Sequence, residues 1–144
     1  MKKGFRLLSL ALLSIGVISC GGGGDSGGGT TTTPTAVSFS GSVQPIFTTN
    51  CVSCHSPGGV AAFMSLASGS SYANLVGVAA TVTGTPPSGT RVVAGDHGSS
   101  VLYQRISGNG LATGEQTMPQ GLPLLSSTDQ DTIENWIDEG ALNN

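Results

Sequence analysis

The chain has 144 residues, of which only 9% are charged and 5% aromatic, while 23 are glycine. Five Lys/Arg against eight Asp/Glu give a formal net charge of −3, and Lys2, Lys3 and Arg6 crowd at the start. Beyond residue 19 only Arg91 and Arg105 face the eight acids, a net charge of about −6 (two minus eight), which excludes an electrostatic footprint for nucleic acid.

Residues 1–19 read as an export signal: a basic start followed by the apolar run Leu7 to Ile18, too short for a permanent membrane span. The segment closes on Val17-Ile18-Ser19-Cys20, which resembles a bacterial lipoprotein signal. In that family the Cys carries a diacylglycerol and the signal is cut before it. The resemblance therefore implies a lipid anchor at Cys20 in a bacterial cell envelope; an ordinary secretory signal cleaved near Ser19 is the alternative. Gly21 stands where an Asp favours inner-membrane retention, so the same resemblance leans towards the outer membrane, facing the periplasm or the surface.

Residues 20–36 are assigned to the lipidated Cys and a tether. Gly21 to Thr33 (GGGGDSGGGTTTT) holds nothing able to build a core and suits a flexible coil. Counted as far as Ser40, such a coil has a mean reach of ~25 Å. Residues 37–144, about 108 in number, form one domain of ordinary size, with no internal repeat.

The domain opens with Ser42-Val43-Gln44-Pro45-Ile46-Phe47. Val43, Ile46 and Phe47 make one apolar helical face, Ser42 is placed to cap it, and Pro45 is tolerated in a first turn. Cys51-Val52-Ser53-Cys54-His55 follows, the attachment signature of c-type haem. The spacing suits the chemistry: two thiols three residues apart reach two vinyl groups on one porphyrin edge, and the adjacent imidazole serves as an axial ligand. A thioredoxin-like pair needs a preceding strand and a βαβ setting, which the pattern lacks. A zinc site needs a second ligand pair, and only His97 remains to offer one. A Cys51–Cys54 disulfide would be strained at so short a separation.

Candidates for a second axial ligand are Met64, His97 and Met118. Met64 sits in the apolar Ala61-Ala62-Phe63-Met64-Ser65-Leu66, where core packing is the default. His97, in Gly95-Asp96-His97-Gly98, reads as a solvated turn residue, with bis-His ligation as the rival. Met118 precedes Pro119 in a loop rich in Gly and Pro, where proline's restriction of the backbone can aim the thioether at iron. The alternative for Met118 is simple packing against the haem.

Two short helices are expected at Ser71–Val76 and Ser99–Ile106, before Gly77 and Gly108, and Val78–Ala94 reads as a loop or weak hairpin. The last helix carries the plainest signal. Ser127 with Gln130 suggests a capping box, Ile133, Trp136 and Ile137 form a stripe, and Gly140 is a stop.

Together these features resemble a class I cytochrome c domain, and within that superfamily they are similar to the planctomycete-type cytochrome c domains. The matching pieces are Val43-Gln44-Pro45-Ile46-Phe47, Tyr72-Ala73-Asn74-Leu75-Val76, Arg91-Val92-Val93-Ala94-Gly95-Asp96, Ser100-Val101-Leu102-Tyr103 and Met118-Pro119. Ala94 replaces the usual Pro. The resemblance implies an all-α, cytochrome c-like fold with long irregular loops, its first and last helices packed beside a covalent haem, Phe47 lying against the Ile133/Trp136/Ile137 stripe. It implies one haem c bound by Cys51 and Cys54, ligated by His55 and Met118, with Arg91 reaching a propionate or else exposed to solvent.

On that basis the expected activity is electron transfer with redox partner proteins of the envelope, without catalysis. The alternatives are a haem subunit of a peroxidase- or dehydrogenase-linked enzyme, needing a partner chain, and a haem-based sensor with a labile sixth ligand. So modest a polypeptide core implies a poorly folded apoprotein.

Overall fold

The computed structural model describes residues 35–81, 89–111 and 113–144; the expected export signal, Cys20, the expected tether as far as residue 34 and part of the Val78–Ala94 segment lie outside the described residues. Within these limits the chain is helical and has no β-strand. Four α-helices occur: α1 (Gln44–Asn50), α2 (Ser71–Leu75), α3 (Val101–Ser107) and α4 (Ser127–Asp138). Among the described residues no helix is long and apolar enough to cross a membrane.

A π-helical turn, Phe39–Val43, runs directly into α1. The Ser38 hydroxyl accepts from Gly41 N–H at 3.0 Å, so Ser38 is the cap and Ser42 lies inside the turn. The cap moves because the apolar stripe of Val43, Ile46 and Phe47 extends one turn back to Phe39, which is buried. The first residues of the expected domain are fastened to its far end. Val37 N–H donates to Glu139 Oε2 at 2.6 Å, and Phe39 N–H donates to Asn144 Oδ1 at 2.7 Å.

α4 begins one residue earlier than its expected cap position requires. Ser126, not Ser127, accepts from Asp129 N–H at 3.1 Å, and Gln130 Nε2 donates instead to Leu125 O at 2.8 Å. Two adjacent serines offer the same chemistry, and the burial of Leu125 selects the earlier one. The helix closes in a Schellman motif: Ala141 N–H donates to Trp136 O at 2.8 Å and Gly140 N–H to Ile137 O at 3.0 Å. Gly140 takes φ 102°, which its missing side chain permits.

The core gathers Phe39, Val43, Phe47, Ile133, Trp136 and Ile137. Phe47 shares this core, and the aromatic neighbours of Trp136 are Phe39, at a centroid distance of 5.1 Å, and Tyr72, at 6.5 Å, with Phe47 edge-on to Phe39 at 6.3 Å. Full burial of such side chains contributes roughly 1.5–3 kcal/mol each. Polar ties lock the shorter pieces onto this pair. Gln44, buried, donates to Leu66 O at 3.0 Å and accepts from the Ser71 hydroxyl, which joins α1 to α2. The Tyr72 hydroxyl donates to Ala141 O at 2.9 Å.

Between α2 and α3 the described residues form isolated bridges, including an antiparallel one at Ala79 and Thr90. The described part is thus a hairpin-like loop. α3 starts two residues later than expected, at Val101, because Ser100 turns its hydroxyl to Asp96 O at 2.8 Å and is fully buried. Gly108, at φ 77°, ends it.

Candidate functional site

The end of α1 delivers the two thiols and the imidazole to one side of a continuous winding. Cys51 N–H donates to Phe47 O at 2.9 Å, Cys54 N–H to Cys51 O at 3.1 Å and His55 N–H to Cys51 O at 2.8 Å. Residues three and four apart on such a turn share a face. Both cysteines are free thiols. Cys51 is half-buried, and burial, then the neighbouring Cys54, push its pKa up to about 11. Cys54 is exposed.

His55 is half-buried and held by the chain that follows it. Its Nδ1 lies 3.3 Å from Met64 O, and the edge of Phe63 approaches its ring at 6.5 Å. Desolvation lowers the imidazole pKa, the Met64 carbonyl opposes that, and the nearby Arg91 cation adds to it. A neutral ring with Nδ1–H donated to Met64 carries its lone pair on Nε2, the form a metal ligand takes. Met64 itself packs against the core, as its apolar surroundings suggested.

Arg91 is not exposed. It is 9% accessible, its Nη1 donates to Asn74 O at 2.7 Å, and burial lowers its pKa. Among the described residues its guanidinium has no carboxylate within ion-pair distance, the recorded pairs being His97 with Glu134 and Asp138, and Arg105 with Glu115. A buried, unpaired cation beside His55 therefore corrects the solvent-exposed alternative.

Met118 is half-buried on the irregular segment between α3 and α4. Its N–H donates to Arg105 O at 2.8 Å, and the Met118–Pro119 peptide is cis. Pro119 and Leu122 face Thr49, Asn50 and Ser53 across an open cleft of about 470 Å³. The loop that carries Met118 thus borders the same cleft as the Cys51–His55 segment, through Ser53, although neither His55 nor Met118 lines it. Of the large apolar side chains left exposed among the described residues, Val60 and Phe63 follow the motif and Leu122 and Leu124 follow Met118.

Compared with known protein families, curated proteins and solved structures, the chain matches none.

His97 differs from its expected solvated state. Its Nδ1 lies 2.8 Å from Asp138 Oδ2, its backbone N–H donates to Asp138 Oδ1 at 3.1 Å, and its Nε2 lies 3.7 Å from Glu134 Oε1. Its ring also meets Tyr103 edge-on at 4.8 Å. Both nitrogens face carboxylates on α4, which counts against bis-His ligation. Sequence reasoning missed two contributors. The Met64 carbonyl has no side-chain signature, whereas Arg105 stood out only as one of two cations beyond the signal.

Proposed function

We propose that this chain is an electron-transfer protein carrying one covalent haem c in a cytochrome c-like domain, tethered in the bacterial envelope through Cys20. The observation that carries the reading is the single winding that presents Cys51, Cys54 and His55 together, with His55 Nδ1 held at Met64 O. The fit extends beyond the ligands. Val60, Phe63, Leu122 and Leu124 offer apolar surface on the segments that flank the motif and Met118, where a porphyrin face needs it. Arg91 offers a buried cation for a propionate.

Cys51 and Cys54 would hold the porphyrin as thioethers, each thiol adding across a vinyl group with its hydrogen going to the second carbon, so that attachment would consume no oxidant. The bound iron supplies a one-electron couple. His55 donates from Nε2, and Met64 O fixes the ring orientation. Met118 would offer its thioether as the second protein ligand, a softer donor that would favour the reduced state more than a second imidazole. With His55 and Met118 both held to the group, small molecules would gain no entry and outer-sphere transfer would remain.

The test is the purified holoprotein. A haem c spectrum that survives acid organic extraction, with slow carbon monoxide binding after reduction, supports the reading. Extractable haem, or none, defeats the attachment. Rapid carbon monoxide binding defeats the carrier and favours the enzyme-subunit or sensor alternative.

A further inference from the structure

Between α3 and α4, from Gly108 to Ser126, the described residues contain no helix or strand, and Gly108, Gly110, Gly114 and Gly121 all take positive φ. Such a segment has no regular hydrogen bonding of its own to fix Met118. Its anchorage is concentrated on one residue. The Arg105 carbonyl accepts Met118 N–H at 2.8 Å, Arg105 Nη1 donates to Gln116 O at 2.7 Å, and Arg105 Nη2 pairs with Glu115 Oε1 at 3.0 Å. Among the described residues, every hydrogen bond or ion pair tying Gly110–Met118 to a helix runs to Arg105. Both charged side chains are only 15% accessible, so water and salt screen the pair weakly.

We propose that Arg105 is the positioning residue that holds Met118 in place as the second axial ligand. This rests on the haem reading above. Arg105 grips the loop on the N-terminal side of Met118 with its side chain and Met118 itself with its backbone. Glu115 orients the guanidinium, and the planar fork of Arg reaches the Glu115 carboxylate and the Gln116 carbonyl at once, which a lysine ammonium matches less well. Weakening the grip frees the loop while leaving the thiols, His55 and the helix core untouched.

The experiment compares the full-length holoprotein with Arg105→Ala, Arg105→Lys and Glu115→Gln. The control is Tyr72→Phe, which removes the hydrogen bond to Ala141 O far along the chain from the loop. Three quantities are read: the weak ferric charge-transfer band of Met sulfur on iron, the pH at which that band disappears, and the reduction potential. Arg105→Ala is expected to raise the Met-off population about tenfold or more, as loss of a charge-assisted hydrogen bond implies. The band then fades at a pH closer to neutral and the potential falls. Arg105→Lys restores part of each change, Glu115→Gln gives a smaller shift in the same direction, and Tyr72→Phe leaves all three readings at wild type.

An Arg105→Ala protein with wild-type band, pH dependence and potential overturns the proposal. If that variant does not fold, unchanged readings in both Arg105→Lys and Glu115→Gln overturn it equally. Equal shifts in Tyr72→Phe would reduce the effect to general destabilisation and also sink it. A wild-type protein without the band removes the Met118 ligand itself, a failure distinguishable from that of Arg105.

Discussion

The carbonyl oxygen of Met64 lies 3.3 Å from Nδ1 of His55, nine residues earlier in the chain. A second bond, from Leu66 N–H to His55 O at 2.8 Å, closes the same excursion from the other side. Residues 56–63 therefore form a loop whose return strokes fix the direction of one imidazole. With Nδ1 turned to that carbonyl, Nε2 is the ring nitrogen left free, and the segment is part of the candidate site although it carries no ligand side chain.

Met118→Ala should abolish the ferric charge-transfer band and lower the reduction potential by on the order of 0.1–0.3 V, well inside the ~0.8 V that axial ligation spans. The reduced variant should bind carbon monoxide rapidly, where the wild type resists it. A band that persists in this variant and vanishes in His97→Ala would reverse the ligand assignment.

Arg91→Leu should lower the potential by roughly tens of millivolts, because removing a buried cation near the iron ligand favours the more positive ferric state. The direction follows from the Arg91 charge acting on His55. Arg91→Lys should recover most of the loss. Redox titration of the three proteins at constant pH decides the matter, and no change in Arg91→Leu would leave the propionate role without support.

Tyr103 predicts a pH dependence of stability. Its hydroxyl donates to Glu134, and that bond, with burial and nearby acids, pushes its pKa up from 10.0 to about 12. The folded state holds the phenolic proton more tightly than the unfolded state does. Its stabilising contribution is thus complete below pH 10 and disappears as pH rises from about 10 to 12. Tyr103→Phe should flatten that part of the profile in denaturant titrations at stepped pH. An equally steep alkaline loss in the variant would assign it elsewhere.

Phe39→Ala should cost ~3–5 kcal/mol, as for other large-to-small changes in a packed core. A loss of that size places Phe39 among the structural residues of the domain. A change under ~0.5 kcal/mol, the range of ordinary surface sites, would return it to the tether.

A Cys51→Ala/Cys54→Ala protein exported without haem should lose cooperative unfolding and be cut by protease first in residues 56–65 and 113–126. These segments carry Val60, Phe63, Leu122 and Leu124, whose apolar surface has no covering among the described residues. A protease-resistant, cooperatively folding apoprotein would contradict this.

How far the sequence was readable depended on where the energy lies. The Ile133/Trp136/Ile137 stripe was readable because burial enforces helical spacing, and these residues are at most 1% exposed. Helix starts were misplaced where two hydroxyls compete, as at Ser126 and Ser127, or where the stripe extends beyond the expected cap, as at Phe39. The Cys51-x-x-Cys54-His55 spacing was visible because its chemistry is local. The burial of Arg91 and the fastening of His97 to α4 depend on partners 17 and 41 residues away, Asn74 and Asp138, which no local pattern specifies. The role of the Met64 carbonyl was hidden for another reason: every residue has one.

The contact between Phe39 N–H and Asn144 Oδ1 joins residues 105 apart, and Ser40 N–H adds a bond to Asn144 O at 2.9 Å. The turn that leads into the Cys51 segment therefore lacks its final partners until almost the whole domain has been threaded. Closure of so non-local a pair comes late and slowly, and until then the segment bearing both thiols stays open to whatever must reach it.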